Sequence, residues 1–134
     1  MKKAHILAVI VTLIAGTFLF AQSDADFQGY MKIIGPTNGS LGKNIAAKDA
    51  KATEADAHKM LDAFKKVEAY WQAKGATDAV NFAKNAQTAL EAVAKSAAAG
   101  NMDQAANDAK GIGPNCGGCH GAHREKTDSG FKIK

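Results

Sequence analysis

From Phe27 onward, apolar residues along the chain recur with the period of a helix rather than of a strand. After Thr53-Glu54-Ala55-Asp56, a helix start of the Thr-Glu-Ala-Asp kind, Ala57, Met60, Leu61, Phe64, Val67 and Trp71 follow at steps of three and four. That stripe stops at Gly75. Thr77 is the next residue suited to cap a helix, and Val80, Ala83, Gln87, Leu90, Ala94 and Ala97 repeat the period up to Gly100. Asn101 then opens a further segment, with Gln104 three residues on, as in a capping box. The spacing predicts two long helices with very short joints, which forces neighbours in the chain to run antiparallel.

Two segments are less regular. Phe27, Tyr30, Met31, Ile34, Asn38, Leu41 and Ile45 share one helical face, but Gly35-Pro36 falls in its middle. Proline removes a backbone hydrogen bond and crowds the preceding turn. The expectation is either one kinked helix from about Asp24 to Lys48 or two shorter ones. The last segment carries Gly111-Ile112-Gly113-Pro114 before the cysteines and is expected to end near Lys126. No alternating apolar run and no hairpin signal stand out. The fold class predicted is all-α: an antiparallel, up-down-up-down four-helix bundle. Alanine at many core positions lets helices approach closely and leaves room for a large prosthetic group.

The first residues change the picture of what folds. Met1-Lys2-Lys3 is a basic start, Ile6 to Phe20 is almost wholly apolar, and Ala21 precedes a polar run. That is the order of a secretory leader cleaved after a small residue. The apolar run falls short of the roughly 20 residues of a membrane-spanning helix. Residues 1–21 are therefore expected to be a removed leader and 22–134 the folded domain, exported out of the cytoplasm and free of the membrane. The whole chain has 17 basic and 13 acidic residues, a net +4 that becomes +2 without Lys2 and Lys3. No Lys/Arg cluster or aromatic stacking platform accompanies that charge, which excludes a nucleic-acid partner.

Cys116-Gly117-Gly118-Cys119-His120 carries the chemistry. Cys-x-x-Cys-His is the attachment sequence of c-type haem. Thioether bonds to two vinyl groups need thiols about one turn apart, and the following His120 then lies beneath the iron as its ligand. Small residues at Gly117 and Gly118 let the backbone approach the ring edge. Both cysteines of the chain sit in this motif. A structural disulfide across a two-residue loop would restrain little. A thioredoxin-like pair needs a βαβ pattern that is missing, and a zinc site would need ligands beyond His58, His120 and His123.

The second iron ligand follows from bundle geometry. In an up-down-up-down bundle the start of the first helix and the end of the last share one end. Met31 lies roughly 10 Å from the first and His120 roughly 9 Å from the second, so the two are level. Met60, Met102 and His58 lie toward the opposite end, and His123 is on the haem-bearing helix itself. Met31 is thus the remote soft ligand within reach, although core filling is what most helix-face methionines do. Arg124, one turn after His120, is a candidate partner for a haem propionate or for a surface carboxylate. Tyr30 and Trp71 could pack on the porphyrin or simply fill the core.

These residues resemble the class II c-type cytochromes, the cytochrome c′ and cytochrome c-556 family. The resemblance rests on a haem motif near the C-terminus, the stretch from Cys116 to Arg124, and a methionine early in the first helix. The family pattern is similar to Cys-x-x-Cys-His-x-x-Tyr-Arg/Lys, so Arg124 matches while His123 replaces the usual aromatic. Low-spin members have a methionine where Met31 stands; high-spin members have a non-ligating apolar residue. An arginine often found four residues earlier is Phe27 here. The resemblance implies one covalently bound haem c, a periplasmic location, protein redox partners of unknown identity, and often a homodimer through the first two helices. The expected function is one-electron transfer with His120/Met31-ligated iron. The alternatives are a five-coordinate protein binding nitric oxide or carbon monoxide, and a haem-free thiol or metal-binding helical module. With no paired carboxylate or nucleophile-base arrangement, an enzyme is not expected.

Overall fold

The computed structural model describes residues 21–134. The expected leader, apart from Ala21, lies outside the described residues. Five helices and a short hairpin follow in order: α1 (Asp24–Ala46), α2 (Ala50–Lys74), α3 (Thr77–Ala98), α4 (Met102–Ala109), α5 (Ile112–His123), β1 (Arg124–Thr127) and β2 (Gly130–Ile133). Among the described residues no helix is long and apolar enough to cross a membrane.

The four-helix bundle is present, with its fourth arm in two pieces. At one end of the α1–α2 pair, Asn44 donates to Asp56 at 2.8 Å; at the other, the Tyr70 hydroxyl donates to Asp24 at 2.6 Å. Those contacts are possible only if the two helices run antiparallel. The fourth arm descends along α3 in the same sense. Ser96 donates to Asp108 on α4, and His123 at the end of α5 meets Asp78 at the start of α3.

Local chemistry explains the boundaries. Ser23 and Asp26 form a reciprocal capping box at the start of α1. Helix α2 starts earlier than the Thr53 signal because Asp49 caps it, accepting from the Ala52 amide; Thr53 is instead fully buried inside it. Gly75 ends α2 in the left-handed region at φ 71°, where a residue without Cβ is least strained. Thr77 is the first helical residue of α3 rather than its cap. Asn101 does cap α4, accepting from the Gln104 amide, but the Gln104 side chain turns to Asp108 instead of closing a box.

Helix α1 runs unbroken through Pro36, an exposed residue whose missing N–H leaves the Lys32 carbonyl without its usual donor inside the helix. Thr37, not Asn38, is the buried residue at that turn. The break comes instead between α4 and α5. Pro114 cannot donate to the Lys110 carbonyl, and the chain restarts at Ile112 with the proline in its first turn, where it is tolerated. Helix α5 then ends at His123, three residues before the expected end. Arg124 is extended (φ −121°, ψ 133°) and leads into the hairpin that the sequence pattern did not suggest. The final Phe131-to-Lys134 stretch docks back on α5: the Lys134 amide donates to His123 at 3.1 Å and its ammonium to Gly121 at 3.3 Å. Both contacts satisfy carbonyls that a helix C-terminus leaves unpaired.

The core lies along α2 and α3. Met60, Leu61, Phe64, Val67 and Trp71 of the predicted α2 stripe are buried, as are Ala83, Leu90, Ala94 and Ala97 of the α3 stripe. Val80 and Gln87 sit at its margin, while Ala79, Ala86 and Val93 complete the face.

Candidate functional site

The sequence motif lands on α5, where three-residue spacing brings Cys116 and Cys119 onto one helical face and His120 beside them. Across from it runs the first half of α1. Between them opens a cavity of about 300 Å³, lined by Phe27, Met31 and Ile34 of α1, Trp71 of α2, and Cys116, Cys119, His120 and His123 of α5. Arg124, Phe131, Lys132 and Ile133 of the hairpin close one edge. A second space of about 30 Å³ adjoins the first and shares Met31, Ile34, Cys116, Cys119 and His120 with it. All five residues singled out from the sequence, Met31, Cys116, Cys119, His120 and Arg124, therefore line one cavity.

The other candidates fall where the axial argument put them. Met60 and Met102 are buried core residues that do not line the cavity, and His58 is an exposed partner of Glu54 at 3.8 Å. Trp71 lines the cavity; Tyr30 does not, and its ring lies under the Lys66 ammonium.

Electrostatics sharpen the chemistry of the motif. Both thiols are free and half-buried. Burial raises the Cys116 thiol, and burial with the nearby Asp78 and Cys116 pushes Cys119 up to about 11. Neither cysteine has the lowered pKa of a nucleophilic redox pair. His120 is held below its ordinary value, first by burial and then by the Arg124 charge, and so favours the neutral imidazole that can ligate a metal. Among the described residues no group of three or more His, Cys, Asp or Glu side chains is placed to hold a bare metal ion. A macrocycle that brings most of the iron's donors requires no such group.

The residues present fit haem. The site combines protonated thiols one turn apart, a neutral imidazole and a thioether sulfur around a largely apolar space. Gly118 has a use that the sequence did not suggest. A Cβ there would lie 2.5 Å from the Phe82 ring, so its smallness lets α5 close on α3, whereas a Cβ at Gly117 would meet open space.

Sequence reasoning missed two groups. The first is the aromatic wall: Phe27, Tyr70 and Trp71 pack edge to face or tilted at 4.6–5.4 Å, and His123 continues the group at 4.7 Å from Trp71. His123 is fixed by Asp78 at 2.8 Å, which holds the Asp78 carboxyl below its ordinary value. The second is the hairpin. Its available signal was the turn composition of Asp128-Ser129-Gly130 followed by Phe131 and Ile133 two apart. No protein-family model, curated protein or solved structure matches the chain.

Proposed function

We propose that this chain is an exported monohaem c-type cytochrome that passes single electrons between protein partners. The observation that carries the reading is the convergence of Cys116, Cys119 and His120 from α5 with Met31 from α1 on one apolar cavity. Residues 89 positions apart in the chain would have no reason to share it if the motif were only a local turn.

In this reading Cys116 and Cys119 would hold the haem covalently, and His120 and Met31 would be its protein ligands. Bound there, the haem would supply a one-electron redox centre. The chain's own residues do the rest. Phe27, Ile34 and Trp71 exclude water from the ring, which limits the solvent reorganisation that would slow transfer. The Asp78–His123 pair and the Trp71 ring brace the end of α5, and so hold His120 in place. The raised thiols weigh against a haem-free redox pair.

An absorption spectrum tests the proposal. The chain expressed with haem-attachment machinery is expected to give a low-spin spectrum, oxidised and reduced, that carbon monoxide leaves unchanged. Met31→Ala is expected to become high-spin and to bind carbon monoxide. A parent protein that is already high-spin and shifts with carbon monoxide would replace electron transfer by gas binding. A colourless protein would sink the haem reading altogether.

A further inference from the structure

The cavity has walls of two kinds. Phe27 and Ile34 of α1 and Trp71 of α2 are buried, and each stands on a helix fixed by its own packed face. The hairpin wall is different. Of residues 124–133, all but Thr127 and Ile133 are exposed, and Ile133 is the one that packs against the core.

Most of the hairpin's contacts are with itself. Its strands pair from Arg124–Ile133 to Thr127–Gly130. The Arg124 guanidinium lies over the Phe131 ring, 3.9 Å from its centroid, and Lys132 pairs with Glu125 at 3.2 Å. The register sorts these residues by face, with Arg124, Lys126, Phe131 and Ile133 on one and Glu125 and Lys132 on the other. Arg124, Phe131 and Ile133 of the first face line the cavity. Phe131 is also 51% exposed, so its ring spans the rim.

Little holds the hairpin to the helices. Among the described residues the Arg124 amide donates to the His120 carbonyl at the junction itself, and Lys134, the residue after β2, donates to His123 at 3.1 Å and to Gly121 at 3.3 Å. A rotation about Arg124 would break the two Lys134 bonds and withdraw Ile133. It would leave the strand ladder, the Glu125–Lys132 pair and the Arg124–Phe131 contact intact. Residues at the ends of elements, as Arg124 is, are where hinges absorb their change in backbone angles.

We infer that the C-terminal hairpin is a hinged strap that sets how large a molecule can enter the haem cavity. The inference rests on the haem reading above and adds a control of access to it. Closed, Phe131 and Ile133 fill the edge of the cavity and leave passage for a diatomic molecule; a bulky one enters only when the strap swings away on Arg124. The Lys134 bonds and the Ile133 contact set how often that happens.

The test uses the haem-loaded full chain carrying Met31→Ala, reduced, and compares the binding rates of carbon monoxide and of tert-butyl isocyanide. Ile133→Asn, which removes the apolar anchor, is expected to speed the isocyanide on the order of tenfold while carbon monoxide changes much less. Phe131→Ala, at an exposed position, should shift the ratio of the two rates in the same direction by less. Glu125→Gln, on the other face and outside the lining, should leave the ratio as it was. The inference falls if neither Ile133→Asn nor Phe131→Ala raises the ratio, or if Glu125→Gln raises it as far. If Ile133→Asn takes up no haem, Phe131→Ala decides. A parent with Met31 in place that already binds carbon monoxide would overturn the ligation scheme and not the strap, and the same ratio is then read on the parent. A protein without colour overturns the functional reading, and this inference falls with it.

Discussion

Helices α2 and α3 and the arm formed by α5 with its hairpin are held in opposite ways. Helix α2 buries nine of its 25 residues and α3 seven of 22, among them Met60, Phe64, Trp71, Leu90 and Val93. Each large side chain so buried contributes roughly 1.5–3 kcal/mol. Helix α5 buries one residue of 12, Ile112, and has no apolar stripe. Four of its residues are glycine, each costing a helix interior roughly 1 kcal/mol relative to alanine. The hairpin is exposed along most of both strands. One half of the molecule is stabilised by its own side chains. The other presents its half-buried face, Cys116, Cys119 and His120, to a cavity. On the haem reading, that arm borrows its core from the cofactor.

The sharpest way to break the comparison is to remove the attachment. In the haem-free Cys116→Ala/Cys119→Ala chain, amides of α5 and the hairpin should exchange with solvent on the order of a hundredfold faster than those of α2 and α3. Equal protection throughout, read by hydrogen exchange, would mean that α5 needs no cofactor. A substitution in the self-sufficient half should act on the whole molecule instead. Leu90 is fully buried, and Leu90→Ala should cost about 2–5 kcal/mol, lowering protection in every helix together in a denaturant titration.

A smaller effect separates two adjacent glycines. Gly118→Ala drives a methyl into Phe82 and should destabilise by about 1–3 kcal/mol. Gly117→Ala meets nothing within 4 Å and should stabilise α5 by roughly 0.5–1 kcal/mol through helix propensity alone. Equal midpoints for the two variants would show that α5 does not pack on α3 as described.

The smallest effect is a matter of pH. The Tyr70 hydroxyl, and after it the Lys74 ammonium, hold the exposed Asp24 carboxyl below its ordinary 3.8. A carboxyl lowered in the fold binds fewer protons there than in the unfolded chain. Its contribution is therefore present above the ordinary value and is lost as pH falls through the lowered one. Tyr70→Phe should flatten that acid limb in unfolding curves taken at successive pH values, and an unchanged slope would discount the contact.

Much of the bundle was legible because its signals are local or periodic. The α2 stripe of Met60, Leu61, Phe64, Val67 and Trp71 is a single-helix pattern that needs no knowledge of partners. That Met31 and His120 line one cavity was also legible, since chain length and helix rise alone put both at one end. The break before Pro114 was misread as a feature inside one segment because proline is tolerated in a first turn as well as in a kink. The hairpin escaped notice because strands of four mostly exposed residues leave almost no hydrophobic alternation. Gly118 could not have been assigned to Phe82, since close approach between helices depends on their crossing, which no residue spacing records.

By itself, the sequence determined the helical period, the antiparallel order that short joints impose, and the Cys-Gly-Gly-Cys-His motif on the last helix. These follow from the geometry of a single helix and from the reach of a connecting loop. Only the tertiary structure decided that the hairpin folds back to close the cavity, that no acidic residue stands in its lining, and that His123 stacks on Trp71 under the hold of Asp78. Those are relations between side chains far apart in the chain. They depend on how helices cross and where a tail lands, and packing sets both.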